Sequence, residues 1–230
     1  MSATRHIKNN RKPEAVLFDL DGTLLDTAPD FHWVINQLLK AHNLPEQPYT
    51  ELRKQVSNGA NAMLKTAFKL PDGHTQLPYL NQQMLELYAQ HLAVDSLLFP
   101  GMQSLLSTLE DKQIPWGIVT NKPVRFTTPI LAALQLDLRS SCTICPEHVS
   151  KTKPDPESLL LACQQLKATP QNCIYIGDHI RDIDAGNRAQ MFTIGALYGY
   201  INELENPRDW QANEYVEQAD QILSVIDAHF

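Results

Sequence analysis

Apolar residues along this chain follow two rhythms, and the change from one to the other divides it. The first run, Ala15-Val16-Leu17-Phe18, is unbroken and stops at Asp19, the pattern of a strand covered on both faces of a parallel sheet. Helical spacing takes over with Phe31, Val34, Ile35, Leu38 and Leu39. Its start at Thr27-Ala28-Pro29-Asp30 has a hydroxyl for a cap, a first-turn proline and an acid three residues on. Leu44-Pro45 and Pro48 end it, and Thr50 is placed to cap a second helix running through Val56. After a turn at Ser57-Asn58-Gly59, Met63, Leu64, Ala67 and Phe68 predict a third helix, stopped by Leu70-Pro71-Asp72-Gly73. Leu80, Met84, Leu87, Tyr88 and Leu92 predict a fourth.

From Phe99-Pro100-Gly101 onward, helical and strand patterns alternate. Helices are predicted at 101–113, 129–136, 156–166 and 181–190, and a last one carries Ile222, Val225 and Ile226. Strands are predicted at 114–120, 141–145, 173–177 and 191–196, with a weak one at Tyr215-Val216. This alternation predicts an α/β fold with a doubly wound parallel sheet, whose ligands lie outside the carboxyl ends of the strands. One helix suffices for a β-α-β crossover, so four helical segments after the first strand read as an insertion. The expected organisation is an α/β core of residues 13–27 and 99–230, with an inserted α-helical cap of residues 28–98.

Composition narrows the function. A net charge of −7 with no compensating Lys/Arg cluster argues against nucleic-acid binding. No apolar run reaches the ~20 residues of a membrane span. Residues Met1–Lys12 are polar, without the apolar centre of a secretory signal, and read as a frayed leader. Cys142 and Cys145 have C-x-x-C spacing, but no second pair exists, and on a strand they face opposite sides. With Cys163 and Cys173 they read as buried thiols, which suits a reducing cytoplasm.

The chemistry-bearing residues gather at predicted strand ends. Asp19 and Asp21 are two apart on an extended chain, so both carboxylates can meet one site, and Gly22 lets backbone approach a ligand. Two neighbouring carboxylates at the end of a buried strand are costly unless a divalent cation or a nucleophile–acid pair uses them. Thr120 and Asn121 follow the second clear strand, where a hydroxyl and backbone N–H groups can bind phosphate oxygens. Lys151 and Lys153 precede a helix, and either can reach back to offset negative charge. Asp178 and Asp182 are four apart and share a face if a helical turn begins there; their hard oxygens suit Mg²⁺.

Together, Phe18-Asp19-Leu20-Asp21-Gly22-Thr23-Leu24, Val119-Thr120-Asn121-Lys122, Lys153-Pro154-Asp155-Pro156 and Gly177-Asp178-His179-Ile180-Arg181-Asp182 resemble the four motifs of the haloacid dehalogenase superfamily of aspartyl-phosphate phosphatases. The resemblance implies a Mg²⁺-dependent phosphomonoester hydrolase. Asp19 would be the nucleophile and Asp21 the general acid and base. Thr120, Asn121 and Lys153 would hold the phosphoryl group, which leaves Lys151 on the surface. Asp19, Asp21, Asp178 and Asp182 would serve the metal, Asp182 as ligand or supporting partner. His179 stands where many relatives have an acidic or small residue, and reads as a tolerated variant.

Asp21 argues against a dehalogenase, which lacks that acid, and the insertion offers no apolar lysine setting of the phosphonate-hydrolase kind. A phosphomutase and a non-catalytic binding module remain alternatives. The stretches 26–31, 120–126 and 198–201 resemble the phosphoglycolate phosphatase branch. Within it the resemblance implies a sugar-acid substrate, N-acetylmuramic acid 6-phosphate of peptidoglycan recycling, with 2-phosphoglycolate as the alternative. Ser57, Asn58, Gly59 and Arg125 are the candidate substrate contacts, with Arg53 nearby. The expected partner is a small phosphomonoester, the protein a monomer or dimer.

Overall fold

The computed structural model describes residues 12–202 and 205–230; most of the polar N-terminal segment expected to be a frayed leader lies outside them. Six parallel strands form the central sheet: β1 (Ala15–Phe18), β4 (Trp116–Val119), β5 (Thr143–Ile144), β6 (Cys173–Gly177), β7 (Phe192–Ala196) and β8 (Glu214–Val216). Their order is β5-β4-β1-β6-β7-β8. The chain winds outward from β1 through β4 to β5, then returns past β1 and winds the other way. The order reverses at β1, where a doubly wound sheet opens its ligand crevice.

β1 is fully buried because both sheet faces are covered. Val16 and Phe18 face one apolar cluster, with Trp116 and Ile118 of β4, α5 (Met102–Asp111), α6 (Val124–Ala133) and α9 (Gln221–His229). Ala15 and Leu17 face the other, with α7 (Glu157–Leu166) and α8 (Ile180–Arg188). This period-two division of an all-apolar run is what a two-faced parallel strand requires. The four cysteines are free and buried.

Four helices fill the stretch expected as an insertion: α1 (Ala28–Ala41), α2 (Tyr49–Arg53), α3 (Ala60–Phe68) and α4 (Leu77–Ala89). Their apolar faces join the same cluster as Val16 and Phe18, so the insertion's core is continuous with one side of the sheet. Two short strands missing from the sequence reading, β2 (Leu25–Asp26) and β3 (Leu97–Leu98), pair antiparallel where the chain leaves and re-enters the sheet domain. Two-residue strands are too short to leave a periodic signal. Buried Asp30 ties the same two stems, accepting from the Asp95 N–H at 2.8 Å and from the Ser96 hydroxyl at 2.5 Å.

Several boundaries shift for local reasons. Pro48, not Thr50, precedes the second helix, which ends at Arg53 rather than Val56. α6 begins at Val124, earlier than its predicted start at Pro129, because Pro123 fixes its entry. Thr27 precedes α1, but its hydroxyl does not cap it. The Tyr200 hydroxyl does so instead, accepting from the N–H groups of Thr27 at 2.6 Å and Ala28 at 2.9 Å. The same hydroxyl donates to Asp26 at 2.7 Å.

Candidate active site

The carboxyl ends of β1, β4 and β6 converge beside the insertion, and each delivers part of one polar cluster. Asp19 ends β1, and its Oδ1 accepts from Lys153 Nζ at 2.8 Å. Lys153 is buried and also reaches Asp182 Oδ1 at 2.7 Å, Val119 O at 2.9 Å and Tyr175 Oη at 2.8 Å. Burial alone would strip its charge; Asp182 and Asp19 more than offset that and raise its pKa. Lys151 is exposed, 3.8 Å from Asp155, and takes no part.

Asp178 follows β6 and is almost wholly buried. Its Oδ2 accepts from Ser57 Oγ and from the Tyr200 N–H, both at 2.8 Å, and Oδ1 accepts from Thr23 Oγ1 at 3.4 Å. Gly22 makes this approach possible. It sits at φ +85°, and a Cβ there would stand 2.1 Å from Asp178 Oδ2. Asp182, in the first turn of α8, is fully buried and accepts from the His179 N–H at 3.2 Å. The His179 Nδ1 in turn accepts from the Arg181 N–H at 3.1 Å, so that His179 and Asp182 together cap the start of α8. The unusual histidine therefore has a local structural reason.

Oxygens of Asp19, Asp178 and Asp182 lie within 4.8 Å of one another. Burial first, with repulsion from its carboxylate neighbours, pushes Asp178 up to about 7. Burial likewise raises Asp19 to about 6, against the pull of Lys153. Three hard oxygen donors whose charge the single ammonium of Lys153 only partly offsets fit a divalent cation. The Asp21 side chain, expected among the metal carboxylates, stands outside that cluster. Its Oδ1 accepts from Thr27 Oγ1 at 2.6 Å and from Lys122 Nζ at 2.8 Å, which turns it toward the insertion.

Thr120 is buried at the end of β4, where its Oγ1 accepts from the Lys122 N–H at 3.0 Å. The Asn121 side chain spans to the backbone of Lys153, donating to its carbonyl at 3.0 Å and accepting from its N–H at 3.2 Å. Asn121, expected to help hold phosphate, lines the cavity, and its side-chain amide fixes the loop that presents Lys153.

Asp19, Asp21, Thr120, Asn121 and Lys153 line a cavity of ≈ 280 Å³ between sheet and insertion. Phe31, Val56, Met63, Leu85 and Phe126 give it an apolar wall. Among the tentative substrate residues, Ser57, Gly59 and Arg125 line it. Asn58 does not; it is exposed and faces His179 Nε2 at 3.3 Å. Arg53 points elsewhere, donating to the Gly199 and Tyr198 carbonyls at 2.9 Å each, over the Tyr200 ring. The sequence reading missed Lys122, Tyr88 and Arg181, which also line the cavity. An Asn-Lys pair after a strand carries no separate signal, and Tyr88 reads as one more apolar position of α4. Arg181 lies within the quoted Gly-Asp-x-x-x-Asp stretch, but only the fold aims it inward.

The chain is similar to known proteins over most of its length. The chain is 44% identical over 214 residues to the N-acetylmuramic acid 6-phosphate phosphatase of Pseudomonas aeruginosa, covering 93% of this chain and 95% of that one. It is 39% identical over 212 residues to a phosphoglycolate phosphatase of Xanthomonas campestris, covering 92% and 96%. The crystal structure of a predicted phosphoglycolate phosphatase from Haemophilus somnus superposes with a TM-score of 0.81 at 26% identity, covering 94% of this chain and 99% of that one. The family model of haloacid dehalogenase-like hydrolases matches residues 16–196, the span from β1 to β7 that carries every carboxylate and lysine of the cluster, and the chain belongs to that family.

Proposed function

We propose that the enzyme hydrolyses N-acetylmuramic acid 6-phosphate in the recycling of peptidoglycan, through a phosphorylated Asp19. The observation that carries the choice of substrate is the cavity: beside the carboxylate–lysine cluster it has a broad apolar wall and two arginines, Arg125 and Arg181. A sugar acid with an N-acetyl group can fill such a wall while its carboxylate meets a guanidinium. A two-carbon acid phosphate would leave most of it unfilled. The 44% identity to a phosphatase of that name supports the same choice. The 39% identity to a phosphoglycolate phosphatase keeps 2-phosphoglycolate as the second reading.

In the first step an Asp19 oxygen attacks phosphorus and the P–O bond to the sugar breaks. The electron pair goes to the leaving oxygen, which takes a proton from Asp21. In the second step water attacks the aspartyl-phosphate, Asp21 takes its proton, and Asp19 leaves as carboxylate. Lys153 and Thr120 offer positive charge and donors to the phosphoryl oxygens throughout. Asp19, Asp178 and Asp182 would hold Mg²⁺, which supplies further positive charge to those oxygens. Helices α1–α4 act as a cap that walls the site from water. The free thiols suit the cytoplasm as its place of work.

The test is phosphate release, with Mg²⁺, from N-acetylmuramic acid 6-phosphate and 2-phosphoglycolate. The expected kcat/KM favours the sugar acid by at least about tenfold, a difference of ~1.4 kcal/mol in transition-state binding. The reverse preference would overturn the substrate assignment while leaving the chemistry. Near-normal turnover by Asp19→Asn would overturn the chemistry.

A further inference from the structure

Lys122 is a buried cation that the mechanism above does not use. Its Nζ lies 2.8 Å from Asp21 Oδ1, and 4.8 Å from the ring centres of both Phe31 and Tyr88. Those rings belong to α1 and α4, the first and last helices of the insertion, and stack on each other with centroids 4.2 Å apart. Lys122 itself belongs to the sheet domain, two residues past Thr120. The ammonium is therefore held between a sheet-domain carboxylate and an aromatic pair of the cap. An ammonium equidistant from two stacked rings lies beside the pair, over at most one face, so Asp21 is its strong partner and the rings hold its flank.

The contacts on Asp21 are one-sided. Thr27 Oγ1 and Lys122 Nζ both bind Oδ1, while Oδ2 accepts no hydrogen bond among the described residues. A carboxyl gripped by one oxygen presents the other in a fixed direction, and Asp21 lines the cavity. We infer that Lys122 is a positioning residue for Asp21: it pins Oδ1, leaves Oδ2 to the leaving oxygen, and takes its own place from the stacked Phe31–Tyr88 pair. Proton transfer in the sheet domain thereby depends on how α1 and α4 of the cap are seated. This rests on the reading of Asp21 as proton donor.

Leaving-group dependence distinguishes the role. Breaking the bond to a sugar hydroxyl requires a proton for the departing oxygen, whereas 4-nitrophenolate departs without one. General-acid help is worth about 10²–10⁴-fold. Lys122→Met is expected to slow single-turnover release of the leaving group from the sugar phosphate at least thirtyfold, with KM changed less than threefold, and from 4-nitrophenyl phosphate less than fivefold; single turnover reads the first step alone, because the second, where Asp21 acts as base, is common to both substrates. Tyr88→Leu, which removes the ring, is expected to show the same pattern, with a larger loss than Tyr88→Phe, which keeps it. Asp21→Asn is run alongside. If it lacks the leaving-group pattern, the reading of Asp21 as acid fails. If it has the pattern and Lys122→Met does not, the reading of Asp21 stands and the role of Lys122 is overturned. A Lys122→Met loss confined to KM would make Lys122 a substrate contact and also overturn the proposal. Thermal melts show which variants fold. If Lys122→Met does not, Tyr88→Leu against Tyr88→Phe decides: equal losses on both substrates overturn the proposal.

Discussion

Replacing Lys153 by Met tests the central ion cluster through stability as well as activity. Lys153 is 3% exposed, and its ammonium is paired with Asp19 at 2.8 Å and Asp182 at 2.7 Å; Asp182 is wholly buried. Removing one partner of a buried pair strands the other charges, at a cost of ~3–5 kcal/mol. At ~2–4 °C per kcal/mol for a chain of this size, the melting temperature should fall by roughly 6–20 °C in chelator. Divalent cation should restore more stability to Lys153→Met than it adds to the parent, since it replaces the lost charge beside Asp19 and Asp182. Turnover should fall by about 10²–10³-fold, as expected for loss of one preorganised positive group at the phosphoryl oxygens. Lys151→Met is the control: that exposed lysine meets Asp155 at 3.8 Å, a pair worth at most ~1 kcal/mol. Melting curves with EDTA and with Mg²⁺, beside phosphate release, give both readouts. If Lys153→Met melts within 2 °C of the parent in chelator, a difference of only about 1 kcal/mol or less, the cluster is not the strained charge network drawn here.

Three further outcomes follow from the same contacts. Gly22→Ala puts a Cβ 2.1 Å from Asp178 Oδ2 at a backbone φ of +85°, so it should displace Asp178 and weaken Mg²⁺ binding at least tenfold by calorimetry; parent-like affinity would refute the close approach. Tyr200→Phe removes the acceptor of the buried Thr27 N–H, while the Ala28 N–H keeps Asp26 Oδ1 at 3.3 Å; at ~1–3 kcal/mol for the group left unsatisfied it should lower the urea midpoint, and an unchanged midpoint would mean that the Thr27 N–H finds another partner. Asp178 and Asp19, raised to about 7 and about 6, bind protons in the folded protein that the unfolded chain has already lost above about pH 4. Burial lowers His179 to about 4, which works the other way between about pH 4 and 6.5, so the metal-free protein should lose stability from about pH 4 to 7 only by the excess of the two carboxylates, and the gain in melting temperature from a fixed Mg²⁺ concentration should grow from pH 5 to pH 8; a gain independent of pH would contradict both carboxylate shifts.

The parts of the site legible in the sequence are those whose signal is short in range. Asp19 and Asp21 follow an apolar run, Thr120 ends another, and Asp178 and Asp182 sit one helical turn apart, so neighbouring residues alone place them at strand ends. The four helices between β2 and β3 were legible too, because each carries its own helical periodicity. What escaped depends on residues far apart in the chain. Thr27 has the local form of a helix cap, yet its hydroxyl binds Asp21, and the cap comes from Tyr200. Asn121 looks like a phosphate ligand beside Thr120, yet its amide is committed to the backbone of Lys153. Arg53 looks like a substrate arginine beside the cap turn, yet it holds the Tyr198–Gly199 loop. In each case a polar side chain with a plausible local task met a stronger partner brought in by the fold, because a buried donor or acceptor left unpaired costs more than a surface bond returns. The same reasoning explains Lys122. A lysine after a Thr-Asn pair reads as surface charge until folding encloses it, and an enclosed ammonium is tolerable only where a carboxylate and aromatic rings have been gathered around it. The residues that join the cap to the chemistry are therefore the ones a sequence hides best, since their partners come from three separate segments that meet only in the folded chain.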